Sequence, residues 1–311
     1  MRVDKVLTAF AQMPRPLEPD ALTVQPLAAN AKLAVRSDGS LALFFELPTD
    51  SGDSTRQISK CIDIVASQDF KVWHHGDDSP SPMPGVAIML REPTLNWYFA
   101  AIASQVASVL GADVHAFETY EALDRHLTKW LELFAVERLS IERAVGLWGE
   151  LAIVLKFANL DRGVAAWAGP LGEPFDFVAN GLTLELKTTV VGSTVWFSLK
   201  QLFGKEKGYA LHLRTLRDKS NGRNLDDLVS LVRGAVKDDT DFLYKLGNAG
   251  YRPGDHSELK LTLEETRAVS LRDVPRPTVS DARIGTVRFE VDFDSLGPSY
   301  VSPQLLFDRL S

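Results

Sequence analysis

The stretch PFDFVANGLTLELKTT, residues 174–189, reads as a β-hairpin. Asn180-Gly181 at its centre suits a two-residue turn with both residues at positive φ, and apolar and β-branched residues run outward on either side. Strand side chains alternate faces. Glu185 and Lys187 therefore share one face, and Leu184, Leu186 and Thr188 the other. Asp176 lies on the partner arm, which the turn brings back toward Glu185. Two carboxylates converging beside a lysine are costly to hold together unless a cation joins them. Such an oxygen donor set suits Mg²⁺ or Mn²⁺ rather than zinc.

Upstream, VGLWGELAIVL (145–155) carries Glu150 as its only charged residue. A lone carboxylate on an apolar helix is buried and paired, or it lines a site. Ser140 is placed to cap this helix, with Glu142 and Arg143 in its first turns, and the pattern predicts that it runs to about Asn159. Gly146 and Gly149 remove bulk and would let the helix backbone approach a sheet. Downstream, STVWFSL (193–199) predicts a third strand, 200–203 a short helix and GYALHLRTLR (208–217) a fourth strand. Helices are expected at 223–237 and 240–248, then strands at 257–270 and 284–293, with a Pro-rich link at 274–277.

Toward the N-terminus, residues 1–20 read as a short helix broken at Pro14 and Pro16, and 31–47 as two strands around Asp38-Gly39. Residues 57–74 and 86–91 are further β-branched runs, and SPSPMP (79–84) reads as a loop. The first hundred residues are thus mainly β, a small sheet or sandwich. Helical spacing follows at 96–110 and at 119–134, the latter through Leu123, Leu127, Trp130, Leu131 and Phe134. The fold class is α/β of the α+β kind. A mainly β domain over 1–115, suited to substrate or partner binding, is joined by helices to a helix-strand-strand-strand-helix-strand core within 116–311.

Hydrophobic residues make up 45% and charged residues 24% of the 311, as in ordinary globular proteins. The single cysteine, Cys61, forbids an intrachain disulfide and fits a reducing compartment. Neither a secretory leader nor a run of ~18 apolar residues is visible, so a cytoplasmic protein without a membrane partner is expected. A net charge of −7 opposes a uniformly basic nucleic-acid binder. Lys187 to Lys237, however, holds ten Lys/Arg against four Asp/Glu, while residues 1–100 hold nine against twelve. Lys200, Gln201, Lys205 and Lys207, just after the third strand, are candidates for contact with a phosphodiester backbone. HHGDD (74–78) and Asp255-His256 read as polar loops, Trp148, Trp167 and Trp196 as core or interface packing, and Cys61 as a small buried hydrophobe. No Walker-type phosphate loop is present, which excludes an ATP-driven motor.

The pieces GLWGEL (146–151), FDF (175–177), LELKTT (184–189), FSLKQL (197–202), LVSLVRGAV (228–236) and VPRP (274–277) together resemble a bacterial family of PD-(D/E)XK motif proteins. They span roughly 140–295. The resemblance implies a restriction-endonuclease-like αβββαβ core and a place in restriction or phage-defence gene neighbourhoods. Carried onto this chain, it implies that Asp176 and Glu185 bind the metal, with the Leu186 backbone carbonyl completing its coordination. Lys187 would orient or help deprotonate the attacking water and stabilise charge on the phosphate. Glu150 would hold a second metal or a metal-bound water. Phe175 stands where the motif usually has proline, with Pro174 one residue earlier. Gln201 is followed four residues later by Lys205, so the Q-x-x-x-Y pattern of an exonuclease branch is missing.

The expected function is a Mg²⁺-dependent endonuclease, with Mn²⁺ able to substitute, acting on DNA as the cleavage subunit of a multi-protein defence system. A homodimer is left open. The alternatives are a catalytically silent nuclease-fold module that binds DNA or a partner protein, and a metal-dependent enzyme acting on RNA.

Overall fold

Asn180 (φ 50°) and Gly181 (φ 73°) form the expected tight turn, joining β7 (Phe177–Ala179) to β8 (Leu182–Thr189) as an antiparallel pair. This computed structural model describes residues 2–47, 53–57, 60–74, 77, 79–132, 136–202, 208–278, 287–297 and 301–310. The chain forms two compact units, Met1–Glu137 with Asp239–Pro253, and Arg138–Asp238 with Gly254–Ser311.

In the second unit, Ser140 caps α4 (Ile141–Val154) by accepting from the Arg143 N–H. The helix stops at Val154 rather than near Asn159, because Asn159 is itself an N-cap: its side chain accepts from the Arg162 N–H and opens α5 (Leu160–Ala166). After β8 come β9 (Thr194–Ser198), α6 (Leu199–Leu202) and β10 (Gly208–Arg217). The predicted element order is therefore present, with α5 added. A capping box on Asn224 starts α7 (Leu225–Ala235). β11 (Leu261–Ser270), β12 (Arg288–Asp292) and α9 (Pro303–Leu310) follow.

The main sheet runs β11-β10-β8-β7, with β10 parallel to β8 and the outer pairs antiparallel. The third strand of the motif, β9, leaves this sheet and pairs with β12 as a separate ribbon. Ribbon residues Val195, Phe197 and Val291, with Phe293 just after β12, cluster with Phe175, Ala210 and Val269. Phe175, in the position where proline is usual, thus anchors the segment leading into β7. Ala210 is in register with Glu185, and His212 with Lys187, so the ribbon covers the face that carries the motif's charged pair. The opposite face meets α4: a Cβ on Gly149 would lie 1.9 Å from Thr188 Oγ1 and 3.2 Å from Leu213 Cδ1. Gly149 allows the close approach expected of it. Gly146 does not contribute, since a Cβ there would meet nothing within 4 Å.

The first unit opens with α1 (Val3–Gln12). A six-stranded sheet follows, built from β1 (Ala21–Ala28), β2 (Ala31–Arg36), β3 (Leu41–Phe45), β4 (Ser54–Gln57), β5 (Ile62–His74) and β6 (Ser81–Leu90). Its order is β1-β2-β3-β6-β5-β4. β1 also pairs in parallel with the far end of β5, so five of the strands close a ring. Residues 81–84, expected in a loop, are strand. They pair with the second half of β5 while the other edge of β6 is met by β3 only at Val86–Met89, and proline is tolerated on such an open edge.

α2 (Asn96–Ala112) and α3 (Tyr120–Glu132) belong to this unit, as does α8 (Thr240–Ala249). The packing unit therefore extends past residue 115, the boundary read from the sequence. Phe117 packs edge-on against Phe45, Trp130 packs edge-on against Tyr244 of α8, and the Tyr98 hydroxyl donates to the Tyr251 carbonyl at 2.7 Å. The Leu131 side chain and residues Phe134, His75 and Asp78 lie outside the described residues. Cys61 is half-buried rather than buried, its Sγ 3.2 Å from Glu92 Oε2.

The two helix glycines should respond oppositely to alanine. Gly149→Ala would drive a methyl into Thr188 and should destabilise by about 1–3 kcal/mol. Gly146→Ala fills open space within a helix and should stabilise by about 0.5–1 kcal/mol. Urea denaturation of both variants measures this, and equal effects would contradict the helix–sheet contact described.

Candidate active site

β7 and β8 stop pairing at Phe177 and Leu184. Beyond that point, among the described residues, the β7-side edge of β8 has no strand against it. Asp176 occupies the start of this gap. Its Oδ2 accepts from the backbone N–H of Leu186 at 2.6 Å, and its own carbonyl accepts from Ala168 N (2.8 Å) and Gly169 N (3.1 Å). The N–H and C=O of one strand residue face the same edge, so the Leu186 carbonyl opens onto the same gap.

Glu185 and Lys187 rise from the ribbon face of β8. Glu185 is 3% exposed, and its Oε1 accepts from Lys187 Nζ at 2.6 Å. The Lys187 ammonium also lies 4.9 Å from the centre of the Phe197 ring, a cation–π contact. Gln201 uses both ends of its amide on the protein: Oε1 accepts from the Ser198 N–H, and Nε2 donates to Glu185 Oε1. This places it on Glu185, whereas the sequence suggested a phosphate contact. Lys200 is exposed at the start of α6. Lys205 and Lys207 lie outside the described residues.

Glu150 approaches from α4, on the opposite face. The Trp167 indole N–H donates to Glu150 Oε2 at 2.6 Å. A Cβ placed on Gly169 would sit 2.9 Å from Asp176 Oδ1 and 3.3 Å from Glu150 Oε2, so this glycine stands against both carboxylates. Trp167 and Gly169 are the site neighbours that sequence reading missed. Trp167 had the look of core packing and is indeed fully buried, and only its polar edge betrays a second role. Trp148 is buried with its N–H on the Arg223 carbonyl. Trp196 is 56% exposed, so it does not belong to the core of this chain.

Three carboxylates thus gather from both faces of the sheet at one strand edge. Burial pushes the Glu150 carboxyl up to about 8. The charges of Asp176 and Glu185 add to the push, and the Trp167 bond opposes it. Burial pushes Glu185 up to about 8 as well, with Asp176 adding and Lys187 opposing. Asp176 is raised by burial, against the Leu186 N–H and Lys187. As the side chains stand, no group of three or more His, Cys, Asp or Glu among the described residues could hold a metal ion. The fit to a hard divalent cation therefore rests on donor chemistry. Three carboxylates act on one another with Lys187 bonded to one of them, and Glu150 and Glu185 are driven toward protonation at neutral pH. The basic excess of Lys187 to Lys237 is partly paired within the chain, since Arg214 pairs with Glu264 and Glu265.

A carboxyl whose pKa is raised on folding contributes stability that is complete below the unfolded value and is lost as pH rises through the folded one. For Glu150 and Glu185 that window runs from 4.5 to about 8. In EDTA, Glu150→Gln should therefore gain thermal stability relative to the parent chain as pH rises across this window. A difference that stays constant or reverses over the window would contradict the burial described.

No curated protein and no solved structure matches the chain. A family described as "Putative PD-(D/E)XK family member, (DUF4420)" matches residues 18–294, nearly the whole length and both units. With its hairpin, its Asp176 and its Glu-x-Lys strand, the chain belongs to this PD-(D/E)XK family.

Proposed function

We propose that this protein is a divalent-metal-dependent endonuclease that hydrolyses DNA phosphodiester bonds, and that it serves as the cleavage component of a bacterial restriction or anti-phage system. The observation that carries the reading is the cluster of buried Glu185 with half-buried Glu150 and Asp176, beside Lys187 at the open edge of β8. Membership of a PD-(D/E)XK family supports nuclease chemistry in general. DNA as substrate and the defence setting rest on the resemblance alone. The first unit, under the same reading, supplies recognition of target or partner subunits.

Asp176 and Glu185, with the Leu186 carbonyl, are the groups that would hold Mg²⁺ or Mn²⁺, and Glu150 would join them. A cation there supplies Lewis acidity toward the phosphoryl oxygen and a lowered pKa for the attacking water. The chain's own groups do the rest. Lys187 is a fixed positive charge between Glu185 and the Phe197 ring, placed to offset charge developing on the phosphate. The Leu186 N–H holds Asp176 Oδ2, and Gln201 donates to Glu185 Oε1, so each acid is tethered at one oxygen beside the strand edge. Exposed Lys200 offers a contact to the phosphodiester backbone near by.

Plasmid DNA incubated with Mg²⁺ should be nicked or linearised, and EDTA should stop this. Glu185→Gln and Lys187→Ala should lower the rate by about 10²–10⁴-fold while circular dichroism stays unchanged. Parent-level cutting by the purified variants would overturn the assignment. DNA binding without cutting by the parent chain would favour a silent nuclease-fold module, and cutting of RNA alone would move the substrate class.

A further inference from the structure

The chain turns sharply between α5 and β7, and this turn supplies groups that the motif does not include. The Trp167 backbone N–H is shared between the carbonyls of Gly163 and Val164 at the end of α5. The residue also forms a β-bridge with Phe177. Its ring is 0% exposed. An indole held so firmly presents its N–H in one direction, and that direction is Glu150 Oε2, 2.6 Å away. The indole N–H only donates, so it selects an acceptor and fixes which carboxylate oxygen is taken. One and two residues later, the backbone N–H groups of Ala168 and Gly169 hold the Asp176 carbonyl.

Gly169 does not have the positive φ that would by itself call for glycine. What calls for glycine is space: the position of its absent Cβ lies 2.9 Å from Asp176 Oδ1 and 3.3 Å from Glu150 Oε2. Any side chain would crowd both carboxylates at once. We infer that Trp167 and Gly169 are positioning residues of the site, Trp167 by fixing the orientation of Glu150 and Gly169 by keeping open the space beside Glu150 and Asp176 that a divalent cation and its water need. This rests on the metal-dependent reading above and names two residues on which metal affinity depends.

The experiment measures Mn²⁺ binding by calorimetry, together with kcat and KM on plasmid DNA, for the parent chain, Trp167→Phe, Gly169→Ala and, as a control, Gly146→Ala. Trp167→Phe keeps an aromatic ring and removes the donor. Gly169→Ala adds one methyl at a backbone geometry that alanine can adopt. Both should weaken Mn²⁺ binding by about 10–100-fold, the range typical of lost support for metal ligands. Both should lower kcat with KM for DNA nearly unchanged, because neither residue is placed to touch the nucleic acid. Gly146→Ala should bind and cut like the parent. A merely structural role would lower thermal stability and leave the affinity of the folded fraction intact. If Trp167→Phe fails to fold, Gly169→Ala carries the test alone. Parent-like Mn²⁺ affinity in the folded variants would overturn this inference and leave the nuclease reading standing. Absence of Mn²⁺ binding by the parent chain would overturn both.

Discussion

One strand that ends early organises the site. β7 is only three residues long, and where its pairing stops, no strand among the described residues lies against that edge of β8 at Leu186. A backbone N–H buried there must be satisfied by some other acceptor, and Asp176 supplies it through its side chain. That bond fixes a carboxylate at a strand edge that side chains from both faces of the sheet approach. Glu185 comes from the ribbon side and Glu150 from the α4 side. The site is therefore a consequence of where the hairpin stops pairing as much as of which residues it contains.

The electrostatics follow from the same arrangement. Carboxylates taken out of water lose hydration, and here each also feels the others, so two of the three are pushed up to about 8. Lys187, Gln201, Trp167 and the Leu186 N–H offset part of this penalty. A fold that keeps such a cluster carries an energetic cost that a bound divalent cation would relieve, and functional sites are where such costs are commonly retained. Gly149 and Gly169 serve it in different ways. The first lets α4 sit close enough to the sheet for Glu150 to reach the strand edge, and the second keeps a side chain out of the space beside the acids.

Much of the second unit was legible in the sequence because its signals are local. Asn180-Gly181 has only one good structural use, Ser140 and Asn224 are strong caps, and the Glu-x-Lys alternation on β8 follows from strand geometry. The departure of β9 from the main sheet was not legible, because its partner β12 lies some ninety residues later and pairing at that range leaves no local trace. The roles of Trp167 and Gly169 were hidden for a similar reason: a tryptophan in a core and a glycine in a turn look ordinary until the acids they touch are in place. The Ser81–Pro84 segment misled because prolines signal loops unless an open strand edge accommodates them. Gly146 misled because helix glycines do not announce which of them faces a neighbour.

The central claim is that Glu150, Asp176 and Glu185 form a site for a divalent cation. A crystal grown without chelator and soaked in Mn²⁺ tests it most directly. The account predicts an anomalous peak bonded to oxygens of both Asp176 and Glu185, with Glu150 beside it. A fully soaked crystal with no peak there, or with both carboxylates still turned away from any ion, would contradict it.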